Sequence, residues 1–175
     1  VFLDPFSPLY PGRIGNVLSM LGRHAEGLVE INRGLEIDSL NQVTLLKGAM
    51  VAMRIPDTAR ARVLARKIMN VPPWNGFSIY VHARLGEPAA ARRILAPMQM
   101  RNPRAWNAQT AIAYGALGLG DTALALTALE RATDRGEIWP HFVSHTGPEF
   151  DSIRNSARFQ ALLRRSGDQV HDELI

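Results

Sequence analysis

The sequence predicts an all-α fold: a right-handed superhelical solenoid of four antiparallel helix hairpins with a C-terminal capping helix. Three observations carry this expectation. Leu-Gly pairs recur as Leu21-Gly22, Leu85-Gly86 and Leu119-Gly120. A small residue follows each turn signal at a fixed offset. Ala and Leu dominate the apolar set: hydrophobic residues make up 46% of the chain but aromatics only 7%, a composition suited to closely packed helices rather than to a sandwich or barrel.

The interval from Gly86 to Gly120 recurs from Gly22 to Pro56, another turn former. The step from Pro56 to Gly86 is shorter by about one helical turn. Recurrence at such a period marks stacked units, none of which buries its apolar face alone. At the same offset after each signal comes a small residue: Gly27, Ala61, Ala91 or Ala125. One turn further on stand Ile31, Ala65, Leu95 and Leu129. Small side chains belong where two helices cross most closely, with larger ones beside them.

The spacing predicts helices over 12–21 and 25–37, 42–54 and 57–69, 75–85 and 88–100, and 105–117 and 121–134. Asp57, Glu87 and Asp121 stand where a side-chain oxygen caps the second helix, and Pro88 suits a first helical position. Pro97 falls inside its helix and predicts a kink or an early end. The shortened spacing puts a bend at Val71-Pro72-Pro73-Trp74. Leu3-Asp4-Pro5 is matched one repeat later by Ile37-Asp38-Ser39, and Asn102-Pro103 closes the third repeat in the same register. Residues 1–7 therefore read as the end of a preceding repeat. With no initial Met, this predicts a segment of a longer polypeptide. Residues 8–137 hold the hairpins, 138–156 a linker, 157–167 the capping helix and 168–175 a tail.

A turn Gly, small residues at the crossing and an Asp-Pro-like joint, all recurring at that period, resemble the tetratricopeptide repeat over about 8–137, in four copies. The usual aromatic near the start of each first helix is absent, and Gly27 and Gly34 stand where alanines are usual. Downstream, Gly147-Pro148-Glu149-Phe150-Asp151-Ser152-Ile153-Arg154, continuing through Arg158-Phe159 to Leu162-Leu163, is similar to the segment that closes repeat arrays appended to bacterial adenylate cyclases, Ser/Thr kinases and winged-helix transcriptional regulators. Gly147 replaces that segment's Asp. The resemblance implies a non-catalytic scaffold or sensory module of a cytoplasmic bacterial signalling protein. It also implies a terminal helix that covers the end of the stack, with Phe159, Leu162 and Leu163 inward and Arg158, Arg164 and Arg165 in water.

The chain has no cysteine, which excludes disulfides and thiolate metal sites. No apolar run is long enough to span a bilayer. There is no Gly-rich phosphate loop and no Gly-x-Ser-x-Gly, so no cofactor and no enzymatic activity are expected. His141 and His145, with Glu149 and Asp151 nearby, form the one catalytic or metal-binding candidate, but Pro140, Gly147 and Pro148 place them in an irregular linker. His82 reads as a groove or partly buried residue rather than a base. The formal charge is +4. A nucleic-acid-associated domain, the alternative function, would need Arg23, Arg54, Arg84, Arg101 and Arg104 to converge on one surface. Arg60, Arg62, Arg66 and Lys67 spread over the side of helix 57–69 opposite Ala61, Ala65 and Ile68, as a solvated back.

The better candidate is the concave surface lined by the first helices of such a stack. The register projects Asn16, Lys47, Met50, Met53, Arg54, Tyr80, Arg84, Asn107 and Tyr114 there, with Tyr80, Tyr114, Arg54 and Arg84 as anchors. Met, Tyr, Arg and Asn make adaptable peptide contacts. The expected partner is a protein, a peptide or a second copy of the chain, rather than nucleic acid or membrane.

Overall fold

The computed structural model describes residues 7–68, 75–100, 108–137 and 148–165. These residues are helical, with no strand among them. Among them, eight helices form four antiparallel pairs: α1 (Leu9–Met20) with α2 (His24–Ile37), α3 (Gln42–Arg54) with α4 (Thr58–Ile68), α5 (Asn75–Arg84) with α6 (Pro88–Met100), and α7 (Ala108–Leu119) with α8 (Thr122–Asp134). A 3-10 turn at Pro148–Phe150 and a last helix, α9 (Ala157–Arg165), complete the described chain.

The recurring turn signals close the first helix of each pair. Gly22, Gly86 and Gly120 have φ of +78°, +79° and +79°, a left-handed backbone that glycine adopts without the penalty a Cβ imposes. The next residue's N–H then reaches back to the helix. Arg23 donates to Leu18 O at 2.9 Å, Asp57 to Ala52 O at 2.8 Å, and Glu87 and Asp121 to His82 O and Ala116 O at 2.9 Å. These closures repeat at the spacing of the turn signals in the sequence. Asp57 and Asp121 cap as expected, accepting from Arg60 N–H at 3.0 Å and Leu124 N–H at 2.9 Å. Glu87 does not cap; its carboxylate turns to Arg62 and His82 instead.

Small residues set the crossings. Ala61, Ala91 and Ala125 are fully buried, as are Ile31, Ala65 and Leu129. The first pair is the tightest: a Cβ on Gly27 would lie 2.6 Å from Gly15 O, and one on Gly15 would lie 2.6 Å from Gly27 O. The two glycines therefore let α1 and α2 approach backbone to backbone, and a Cβ at either would force the pair to shift.

The first helices pack side by side, α1 on α3, α3 on α5 and α5 on α7, and each second helix also leans on the following first helix. The core runs along this layer, from Leu45, Ala49 and Met50 through Ile79 and Val81 to Ile112, Ala116 and Leu129. Pro97 neither ends nor shortens α6, which continues to Met100 with Pro97 on its exposed side. A proline ring on the water side lets solvent satisfy the carbonyl it frees, so the helix survives. The expected bend at Val71-Pro72-Pro73-Trp74 and the joints at Leu3-Asp4-Pro5 and Asn102-Pro103 lie outside the described residues.

At the far end α9 packs on α8. Phe159, Leu162 and Leu163 are buried, while Arg158 and Arg165 reach outward to Glu130 at 2.8 Å and Asp134 at 2.6 Å. The described part of the expected linker, 148–156, is a packed turn with Phe150 and Ile153 buried. These two apolar side chains, just ahead of α9's own Phe and Leu, bury with the core and help to hold the segment there. No helix among the described residues is long and apolar enough to cross a membrane.

Candidate functional site

Because the first helices lie side by side, residues far apart in sequence share one face. Asn16 comes from α1, Lys47, Met50, Met53 and Arg54 from α3, Tyr80 and Arg84 from α5, and Tyr114 from α7. Arg54 joins several of them: its guanidinium donates to Asn16 Oδ1 and to Glu149 Oε1, each at 3.0 Å. Glu149 belongs to the 3-10 turn, and its neighbour Phe150 goes deeper still. The Phe150 ring meets Tyr114 edge to face at 5.5 Å and stacks on Phe159 at 5.5 Å. Tyr114 in turn meets Tyr80 edge to face at 6.2 Å. A ladder of four rings thus runs from α5 to α9, with an ion pair at its α3 edge.

This arrangement corrects the expected anchors. Met50, Tyr80 and Tyr114 are 5%, 7% and 4% exposed, so they form core and the floor of the face rather than its surface. The closing turn covers Tyr114 through the Phe150 ring, Tyr80 lies against Tyr114, and all three belong to the core that the packed helices share. Arg84 is exposed, and Asn16, Lys47 and Met53 are half-buried; these four stay within reach of a partner. Asn107 lies outside the described residues.

The electrostatics are lopsided. Burial pushes the Lys47 ammonium down to about 8; Glu149 acts in the opposite sense, while Arg54 and Arg13 add to the lowering. Among the described residues that ammonium makes no hydrogen bond and no ion pair. Burial, assisted by Glu149, pushes the Tyr80 hydroxyl up to about 12 and holds that of Tyr114 well above its ordinary value. Lys47 thus feels one buried carboxylate, Glu149, against Arg54 and Arg13, while Tyr80 feels Glu149 and Asp151 against Arg84 and Arg54. Asp151, the next acid, is engaged at 2.7 Å by Arg154.

The other candidates scatter. His82 is buried in α5, with Nδ1 2.6 Å from Glu87 Oε2. Glu87 also accepts from Arg62 Nε at 2.6 Å. These contacts, the His82 hydrogen bond first and then Arg62, hold the Glu87 carboxyl below its ordinary value. The cluster joins α4 to the α5–α6 turn, so Arg62 acts as a strut between hairpins rather than as part of a solvated back. Arg60 likewise bonds Asn32, while Arg66 and Lys67 are exposed. Arg23 pairs with Glu26 at 2.6 Å and Arg54 with Glu149, so two of the five arginines a basic surface needs are neutralised. Arg101, Arg104, His141 and His145 lie outside the described residues. Among the described residues no three His, Cys, Asp or Glu side chains gather where they could hold a metal ion.

Sequence reasoning missed Glu149 and Phe150 as occupants of this face, and Arg13 as one of its cations. The available signal was the Phe150–Phe159 spacing of the closing segment, which placed both rings in one cap. Comparison with protein-family models, with curated proteins and with solved structures finds no match to this chain.

Proposed function

We propose that this chain is a non-catalytic interaction module, a right-handed tetratricopeptide-like solenoid serving as a scaffold or sensory segment of a larger cytoplasmic bacterial signalling protein. It takes a peptide or a neighbouring domain on the face of its first helices. One observation carries the reading: the face already holds a piece of chain. Glu149 and Phe150 are seated by an ion pair to Arg54 and by rings on Tyr114 and Phe159, the contacts by which helical stacks hold peptides. Beyond that turn, Asn16, Lys47, Met53 and Arg84 remain accessible, and the two cations among them, Lys47 and Arg84, favour an acidic ligand by complementarity.

The test is affinity capture from the parent organism with wild type and with Lys47→Ala/Arg84→Ala, a pair that leaves the buried tyrosines in place. The expected outcome is a protein partner retained by wild type and lost by the variant. Retention by both, with loss on Arg66→Ala/Lys67→Ala, would move the site to the second-helix side. Recovery of nucleic acid with a steep salt dependence would replace the reading by the nucleic-acid one.

A further inference from the structure

We propose that Lys47 is an acylation site, at which the ε-amine takes an acyl group from a small acyl phosphate. The first observation is compositional. Of the chain's 20 lysines and arginines, only Lys47 and Lys67 are lysine. Arginine stays protonated under ordinary conditions, whereas lysine can lose its proton and become a nucleophile. Lys67 lies exposed on α4. Lys47 lies half-buried in the middle of α3, on the face of the first helices.

The surroundings of Lys47 favour the free amine. With no hydrogen bond and no ion pair among the described residues, nothing holds its charge in place. Met50, one turn further along α3, and the adjacent Leu46 and Gly48 are buried. Burial pushes the ammonium down to about 8, with Glu149 opposing and Arg54 and Arg13 adding to the effect. At neutral pH such a lysine holds about 300 times more free amine than an ordinary one. A less basic amine is also a weaker nucleophile, as with thiols, which leaves a rate advantage of about tenfold. The site is not sealed, because Nζ still touches water.

The neighbouring cations select the donor. Arg13 stands one repeat before Lys47 on the adjacent α1, and Arg54 two turns after it on α3. Arg54 gives one N–H to Asn16 and one to Glu149, and keeps the rest of its five donors. Glu149, the one acid that acts on Lys47, is already paired with Arg54. A phosphate-bearing donor is therefore drawn here more strongly than an uncharged one. In the step, the amine lone pair forms the N–C bond to the acyl carbon and the C–O bond to phosphate breaks. Phosphate leaves with that electron pair and takes up the amine proton. The product is a neutral amide, which escapes the penalty of an unpaired buried ammonium. On the reading proposed above, it also removes one of the two cations offered to an acidic ligand.

The test treats the folded chain with acetyl phosphate near neutral pH and follows acetylation of Lys47 and Lys67 by mass spectrometry. Lys47 is expected to react about tenfold faster than Lys67, and the preference is expected to vanish in urea. Lys47 reacting no faster than Lys67 would overturn the site. Arg13→Gln changes an exposed side chain, and is expected to slow Lys47 more with acetyl phosphate than with acetic anhydride. Equal slowing with both reagents would overturn the acyl phosphate as donor. The measurement needs no partner, so its outcome is separate from that of the peptide-binding reading.

Discussion

Arg54 and Glu149 stand 95 residues apart in the chain and meet at 3.0 Å, with side chains 13% and 7% exposed. Their bond ties α3 to the turn that opens the closing segment, across the face that α5 and α7 share. Asn16 holds the guanidinium from the α1 side. The ion pair thus links the first hairpin, the second and the closing turn, and its two charges have given up most of their water.

Breaking that pair from one side should be costly. Glu149→Ala leaves Arg54 buried without its counter-charge, and we expect a loss of about 3–5 kcal/mol in urea unfolding. Arg54→Met/Glu149→Met should recover most of that loss, since two apolar side chains need no pairing. A double variant as unstable as Glu149→Ala would show that the pair contributes more than the avoidance of an orphaned charge.

The ring ladder gives a second expectation. Phe159 is fully buried against Phe150, and Phe159→Ala should destabilise the chain by about 3–5 kcal/mol. The exposed Arg158–Glu130 pair beside it should matter far less, with Arg158→Ala melting close to wild type. Thermal unfolding of both variants checks the order. Equal effects would mean that α9 is held by its charges rather than by its rings.

For Gly27→Ala two effects oppose. Helix propensity favours alanine by about 1 kcal/mol. The added Cβ, however, would lie 2.6 Å from Gly15 O, and a backbone oxygen in a packed pair cannot rotate away. Overpacking of this kind costs about 1–3 kcal/mol, so we expect a net loss. A gain in melting temperature would show that α1 and α2 separate freely.

Lys47 supplies a pH dependence with a definite sign. Its folded value of about 8 lies below the ordinary 10.5, so between the two the unfolded chain keeps a proton that the folded chain has released. Stability therefore rises with pH across that window, and below it the full burial penalty is present. Lys47→Met should be more stable than wild type near neutral pH, by about 2 kcal/mol once its partial solvent contact is allowed for. The advantage should shrink as pH climbs from about 8 toward 10. Comparing both proteins at each pH removes the separate contribution of Tyr80. An advantage constant with pH would mean that Lys47 titrates alike in both states.

The sequence by itself determined the helices and their order. A turn glycine and a small crossing residue are local chemistry, so their recurrence at Gly22, Gly86 and Gly120 located the hairpins from composition and spacing alone. Even Ala61, Ala65 and Ile68 could be assigned inward by period. Glu87 shows where this ends. It stands at a capping position, but His82 and Arg62, the latter from the preceding hairpin, compete for its carboxylate. They win because two charge-assisted bonds outweigh one cap. The same holds for the candidate site. The register placed Arg54, Tyr80 and Tyr114 on one face. Only the tertiary structure decided that Glu149 and Phe150 return to cover them, since a chain's choice of where to bury one ion pair and one ring depends on which surfaces its other helices leave open.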